Sequence, residues 1–544
     1  MTSPVPKRGC MDVVQNFLKI IELPYVSPWL NDDIRPLESR RRTWTFRTFH
    51  NFWLLVNCNI SSYIIGSALI PLGLSWWQAI IVGFSAYCRS SWGLWGSQFP
   101  VWNRVFLSFI WYTWVGGQAF ELILLSWDPN YEKHVHNTIP ASTGMTSGQF
   151  VSYVLFVIMS LPVLWVKPHR LAMLFTLASI LTAVFFIALL IWALATMGSD
   201  GFGDTLAAND TVTDTSGPNS LGWLIVSAIT STIGGIAAGI LNQTDFSRMA
   251  KRQTHSTWGQ LLPFPFYAIV SAVIGILVTA ATQKRFNEAL WNPPDLLARI
   301  LVEDPRSGTR AAVFFSGLAL VVSQMGCSIP NDALAGGMDL ASVLPQYINI
   351  RRGAFIVAIL SPIVNPWRLV NTATTFLTVL SGYAVFIAPM TGIMLSHYIV
   401  VCKCKLKIED MYRGHSGSIY WHTWGINWRT FVAWTVGVAP CLPGFISAVN
   451  PKIKVSDGAI EMYYLSYVYG LLSSGAVLAV LHWVFPARRM DAFVNDPMSA
   501  HEVQELARQR WEVTMDQTWG VLNACSQSSQ HDTEKSPEDL PHAV

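Results

Sequence analysis

The chain has 544 residues, 51% of them hydrophobic and only 13% charged, with a mean hydropathy of +0.36. Soluble domains carry roughly 25% charged residues, so a wholly soluble architecture is excluded and the composition is that of an all-α polytopic membrane protein. The net charge of +3 gives no basis for a nucleic-acid partner, and the eight scattered cysteines, without a CxxC pair, read as packing residues rather than metal ligands.

The N-terminal segment lacks the apolar core of a secretory signal. It holds Arg35, Arg40, Arg41, Arg42 and Arg47, which the positive-inside rule places in the cytoplasm. A bilayer crossing takes about 20 apolar residues. On that measure twelve spans are predicted, at 52–69, 72–88, 105–126, 147–166, 171–197, 221–243, 261–283, 312–334, 353–365, 370–400, 429–447 and 463–486. The ninth is short, ends at Pro362 and Pro366, and reads as a broken or tilted helix. Basic residues recur in alternate loops: Arg89 and Arg104, Lys167 and Arg170, Arg248 to Arg252, Arg351 and Arg352, Lys403 to Arg413. Both termini are therefore expected inside. The outer loop 198–220 is acidic and carries a sequon at Asn209, while Lys452 and Lys454 run mildly against the rule. The tail after Arg489 begins helix-prone and becomes disordered in character.

Four spans carry more than anchoring requires. Span one has Asn57, Asn59, Ser61 and Ser62 in mid-membrane, and span six has Gly234, Gly235 and Gly239 near its centre. Interrupted helices five spans apart point to an inverted-repeat carrier whose freed backbone groups meet a polar ligand. The alternative is small-residue packing and polar helix–helix bonding. In span three, Trp111, Trp114, Gln118 and Glu121 share one face. Indoles for stacking and an amide for two-way bonding suit a flat, hydrogen-bonding ring, and an interfacial aromatic belt is the alternative. Span eight continues into SQMGCSIPNDALAGGMDL, where Gln324, Ser328, Asp332 and Asp339 fall within about one quarter of a helix turning about 100° per residue, with Pro330 bending it. A carboxylate in hydrocarbon costs roughly 2.5–3.5 kcal/mol. Asp332 is thus a functional residue by default, whereas Asp339, with Arg351 and Arg352 soon after, also reads as a cytoplasmic cap.

Several stretches act together as a signature: WLNDDIRPLESRRRTW before span one, LGLSWWQAI entering span two, RSSWGLWGSQFPV before span three, LNQTDFSRMAKR after span six, MDLASVLPQYINIRRG after span eight and CKLKIEDMYRG after span ten. Over most of residues 28–515 the chain resembles the nucleobase–cation symport family 1, within it the fungal uracil/allantoin/uridine permease branch. The resemblance implies a five-plus-five inverted repeat as the transport core, residues 52–400. Two additional helices would follow at 401–486, between a cytoplasmic N-terminal segment, 1–51, and a cytoplasmic tail, 487–544. It also implies a plasma-membrane symporter for a nucleobase, nucleoside, hydantoin, allantoin or vitamin, working by alternating access in the lipid bilayer with no cofactor and no catalytic residue.

The family places its substrate between spans one, three, six and eight. By the resemblance, Asn59 supplies a polar contact, Trp114 and Gln118 of WVGGQ stack on and bond the ring, and Trp111 lies one turn earlier. Gly235 gives a backbone contact, and Ile236 stands where some members have an aromatic residue. Span eight reads GCSIPNDA where the branch often reads GTNISANS, so Asp332 replaces an asparagine near the substrate. Asp339 matches a carboxylate of the cytoplasmic gate, expected to pair with Lys251 or Arg248. The sodium-site hydroxyls of sodium-coupled members fall at Gly326 and Cys327, with Ser323 one turn earlier. Na⁺ wants oxygen ligands, so the expected co-substrate is a proton rather than sodium. A nontransporting nutrient sensor on the same scaffold is the alternative. A membrane enzyme such as an acyltransferase would need a midplane catalytic histidine with an acidic partner and is disfavoured, because the histidines lie mostly in loops, for example His134, His136, His169, His255 and His422.

Overall fold

A computed structural model describes residues 42–58, 88–111, 114–166, 171–198, 216–247, 249–369 and 372–499, together with 19, 21–23, 29, 33, 202 and 502. Among these residues the fold is almost entirely helical, with two isolated β-bridges. The helices used below are α1 (Phe46–Asn57), α2 (Gln98–Trp111), α3 (Trp114–Trp127), α4 (Ser147–Leu164), α5 (Ala172–Thr196), α6 (Leu221–Ser247), α7 (Pro263–Phe286) and α8 (Ser307–Ser328). A π-helical segment, Ile329–Leu334, joins α8 to α9 (Ala335–Val343). Then come α10 (Ile350–Leu360), α11 (Ala373–Ser396), α12 (Trp428–Val438), α13 (Leu442–Val449) and α14 (Ser466–Val484). Among the described residues, 7 helices are long and apolar enough to cross a membrane. The expected second span lies outside the described residues.

Local chemistry sets the helix ends. Thr146 and Gln149 form a reciprocal capping box at the start of α4: the Gln149 N–H donates to Thr146 Oγ1 (3.2 Å) and the Thr146 N–H to Gln149 Oε1 (3.1 Å). Asn349 caps α10 by accepting from the Arg352 N–H at 2.9 Å. Asp33, from the WLNDDIRPLE motif, accepts from the Ile350 N–H at 2.9 Å, so the N-terminal segment helps to cap the same helix. Span nine is broken as expected. After α10 the chain tightens into a 3₁₀ turn, Ser361–Val364, and Asn365 reverses at φ 50° before Pro366.

α11 is the hub of one layer and packs against α6, α12 and α14. α3 lies between α4 and α8, α5 covers α1, α7 and α8, and α9 runs between α2 and α10. The main apolar core draws Phe52 and Trp53 from α1, Phe175 and Phe186 from α5, and Val321 from α8, all essentially buried. α9 and α10 meet glycine to glycine: a Cβ on Gly353 would lie 2.7 Å from Gly337 Cα. The segments before α1 and after α6 join in a parallel bridge, in which the Trp44 N–H donates to Met249 O (2.9 Å) and the Lys251 N–H to Trp44 O (2.8 Å).

Two expectations about interrupted helices resolve differently. α1 begins at Phe46, six residues before the expected edge, and ends at Cys58, whose φ of −108° and ψ of 63° leave the helical region. Asn57 is fully buried there, and its Nδ2 donates to Trp53 O at 3.0 Å. The expected break in span six is corrected: α6 is one continuous helix through Gly234 and Gly235. Glycine retains its N–H and keeps the hydrogen-bond ladder intact. What the missing side chain permits is contact, because a Cβ on Gly234 would collide with the Leu380 carbonyl of α11.

Candidate functional site

The aromatic half of the site is built by α3 and its neighbours. Trp114 is 5% exposed. Its ring lies 6.2 Å from Tyr153 of α4 and 6.0 Å from Trp367, centroid to centroid, in tilted arrangements. Trp367 is anchored by donating its Nε1–H to Thr143 O at 2.9 Å. Trp114 is thus largely buried among Tyr153 and Trp367. Gln118, one turn on, is half-buried, and its Oε1 is shielded from solvent without a hydrogen-bond partner among the described residues. Trp111 closes α2, and its side chain lies outside the described residues, as does Asn59 entirely. Gly235 is half-buried within α6, and the side chain of Ile236 is outside the described residues.

The polar half is span eight. Pro330 has no N–H to give the Gly326 carbonyl and its ring crowds that carbonyl. The backbone relaxes into the wide π turn Ile329–Leu334, a form that is rare and concentrates at functional sites. The wider turn shifts the helical phase, which corrects the expectation of a single polar stripe. Gln324 Nε2 donates to Ser328 Oγ at 2.6 Å in the buried stretch just before the π turn. Asp332, 7% exposed, accepts from Asn331 Nδ2 at 3.4 Å and has no ion-pair partner among the described residues. Ser323 is buried, with its Oγ unbonded among the described residues.

Asp339 is turned elsewhere. Its Oδ2 lies 3.1 Å from Nε of Arg104 on α2, and both side chains are buried. Small residues make that approach possible, since Gly336 abuts Ser108 and Gly337 abuts Gly353. The expected pairing of Asp339 with Lys251 is thereby corrected. Lys251 is exposed and meets Trp44 through its backbone, and Arg248 lies outside the described residues. Arg104 was missed because the apolar run of span three begins at 105, which left it in a loop, whereas α2 begins at Gln98. Its spacing of four from Ser108 on one helix face was the available signal. Tyr153, Trp367 and Asn331 gave no comparable signal.

Among the described residues, three of the signature stretches are tied together through Arg89, Trp29 and Ser342. Arg89 of RSSW donates to Trp29 O (3.1 Å), Ser342 O (3.2 Å) and Ser342 Oγ (2.9 Å), linking the N-terminal segment to the end of α9. Asn427 Nδ2 and Thr430 Oγ1 both donate to Ser91 O at 2.7 Å, fixing the approach to α12 against the same motif.

Comparison with known proteins gives the family and the fold. The family model described as permease for cytosine/purines, uracil, thiamine, allantoin matches residues 36–87 and 82–470. The uracil permease of Saccharomyces cerevisiae is 34% identical over 84% of this chain and 76% of that protein. The allantoin permease of the same yeast is 33% identical over 84% and 76%. Transporter aclS of Aspergillus oryzae is 33% identical over 85% of this chain and 87% of that protein. Among solved structures, Mhp1, a nucleobase-cation-symport-1 family transporter in a closed conformation with bromovinylhydantoin bound, shares the fold with a TM-score of 0.60 at 19% identity, over 88% of this chain and 99% of that one. The chain belongs to the cytosine/purine, uracil, thiamine and allantoin permease family, and is a multi-pass membrane transporter rather than an enzyme.

Proposed function

We propose that the chain imports a small, planar, amide-rich ring, of the kind carried by the uracil, allantoin and uridine permeases it resembles, by proton symport across the plasma membrane with alternating access. In this reading the transport core is residues 52–400, with the two further helices within 401–486 and both tails in the cytoplasm. Trp114 stacks on the ring once Tyr153 and Trp367 part from it. Gln118 Oε1, shielded and without a partner among the described residues, accepts a ring N–H. Asn59, Trp111, Gly235 and Ile236 complete the contacts.

The observation that carries the proton reading is Asp332, a carboxylate 7% exposed inside a membrane helix and without a cation partner among the described residues. Charge at such depth is expensive, and a proton removes it. Protonated, Asp332 offers one O–H donor and one carbonyl acceptor, the pairing an asparagine amide offers to an imide or ureide. The side chains at the sodium position favour the same ion. Gly326 has none, and a Cβ built there meets Ala178 Cβ at 2.9 Å and Leu55 Cδ1 at 3.2 Å, which are carbon atoms, while Cys327 brings a thiol where Na⁺ wants oxygen. Asp339 belongs to the inner gate, with Arg104 as its partner.

The test is uptake of labelled uracil, allantoin and uridine, in competition, by a cell that lacks its own carriers. Accumulation should collapse with a protonophore and survive replacement of sodium. Sodium-dependent accumulation would contradict the ion. Binding without accumulation would make the chain a sensor.

A further inference from the structure

α3 carries a second buried carboxylate. Glu121 lies one turn beyond Gln118, about 4.5 Å further along the helix, toward the loop helices Tyr131–His134 and Pro293–Glu303. It is 7% exposed, and its Oε1 is sealed from solvent without a hydrogen-bond partner among the described residues. Gln118 Oε1 is in the same condition, so two shielded acceptors stand one turn apart on this helix.

The elements packed on this part of α3 bring no positive charge to Glu121. α4 has no charged residue. α8 brings Arg310, which is committed to the carbonyls of Ser126 (2.8 Å) and Trp127 at the far end of α3. From Tyr131–His134, Lys133 donates to Asn130 Oδ1 at 3.3 Å and His134 meets Asp128 at 2.5 Å, which leaves Tyr131 and Glu132. From Pro293–Glu303, Arg299 is exposed, Glu303 is held by Arg285, and Asp295, also exposed, accepts from Asn292 Nδ2 at 2.9 Å. The ionisable groups that remain on these elements, Glu132 and Asp295, are acidic and exposed, so they bring no cation to offset a charge on Glu121. A carboxylate so placed needs a proton or a mobile cation to be tolerated.

We propose that Glu121 is a second proton-binding site, separate from Asp332 and lying on the Tyr131–His134 side of the substrate level, through which uptake senses external pH. The inference rests on the proton-symport reading for its transport consequence, but the proton on Glu121 can be read without transport. Purified parent, Glu121→Gln and Glu121→Asp in phosphatidylcholine vesicles are compared by infrared spectroscopy at neutral pH, and the same variants by initial uptake rate against external pH. The parent should show a carbonyl band of un-ionised carboxylic acid that Glu121→Gln loses and Glu121→Asp keeps at a shifted position. Glu121→Gln should also lose most of the dependence of uptake on external pH, and Glu121→Asp should retain it. An unchanged band in Glu121→Gln overturns the assignment whether or not any substrate is transported. So does a cation requirement that disappears with Glu121→Gln, since Glu121 would then hold a metal or a cationic substrate. If the parent transports none of the panel while the band behaves as expected, the symport reading fails and the proton site stands.

Discussion

Spans six and eight both interrupt a long apolar run with residues that disfavour helix, yet only one departs from α-helical form. α6 runs unbroken from Leu221 to Ser247 through its glycines, and span eight widens into a π turn over Ile329–Leu334. Glycine costs about 0.8–1.0 kcal/mol relative to alanine but leaves every hydrogen bond available, and at Gly234 the loss is offset by contact with the Leu380 carbonyl. Proline removes a donor outright, and the backbone must change to accommodate it. A missing side chain alters packing, whereas a missing N–H alters the path of the chain. Only the second moves downstream side chains to new faces, and so it separates Asp332 from Asp339.

If that separation is real, the two acids should behave as different kinds of group. The largest effect is expected at the Arg104–Asp339 pair. Arg104→Ala leaves Asp339 buried without the cation beside it and should cost about 3–5 kcal/mol, read as a lower unfolding midpoint of the purified protein. The double variant Arg104→Met, Asp339→Leu should be distinctly milder. A single variant no worse than the double would mean that the pair is not a buried ion pair.

The next test bears on the comparison itself. Gly234→Val drives a side chain into the α11 backbone and should cost at least about 1–3 kcal/mol, with little folded protein reaching the surface. Pro330→Ala restores an N–H and should reach the surface in the parent's amount while uptake falls. Equal loss of folded protein from both would erase the distinction between a packing glycine and a path-changing proline.

The smallest effect belongs to the exposed approach to span eight. Asp304 accepts from Arg306 Nε and Nη2, both at 2.7 Å, and its carboxyl is pushed down to about 2, chiefly by that hydrogen bond. A depressed carboxylate stabilises the fold above its unfolded value of about 3.9, and the contribution is lost as pH falls through about 2. Asp304→Asn should scarcely move the unfolding midpoint at neutral pH, because solvent screens an exposed pair. A shift as large as that of Arg104→Ala would show that exposure, too, fails to separate strong pairs from weak ones.

Much of the fold is legible in the sequence. The apolar runs at 147–166 and 171–197 become Ser147–Leu164 and Ala172–Thr196 almost residue for residue, because chain length in hydrocarbon leaves few options. The site is less legible. A regular helical wheel placed Asp332 and Asp339 on one face, and a local change of backbone form is invisible to a fixed period. Arg104 follows from tertiary contact: a cation just outside an apolar run looks like a loop charge until the partner helix is in place. The stacking role expected of Trp114 says nothing of its neighbours, and Trp367, 6.0 Å from it between centroids, comes from the far side of a broken span, more than two hundred residues along the chain.

The central claim is that Asp332 couples proton and substrate. It is tested most directly by measuring substrate affinity and accumulation against pH in parent and Asp332→Asn. Linkage requires proton and substrate to raise each other's affinity by the same factor. The variant should still bind substrate, with an affinity that hardly changes with pH, and should fail to concentrate it. A variant that concentrates substrate with the parent's pH profile would show that Asp332 is not the coupling group.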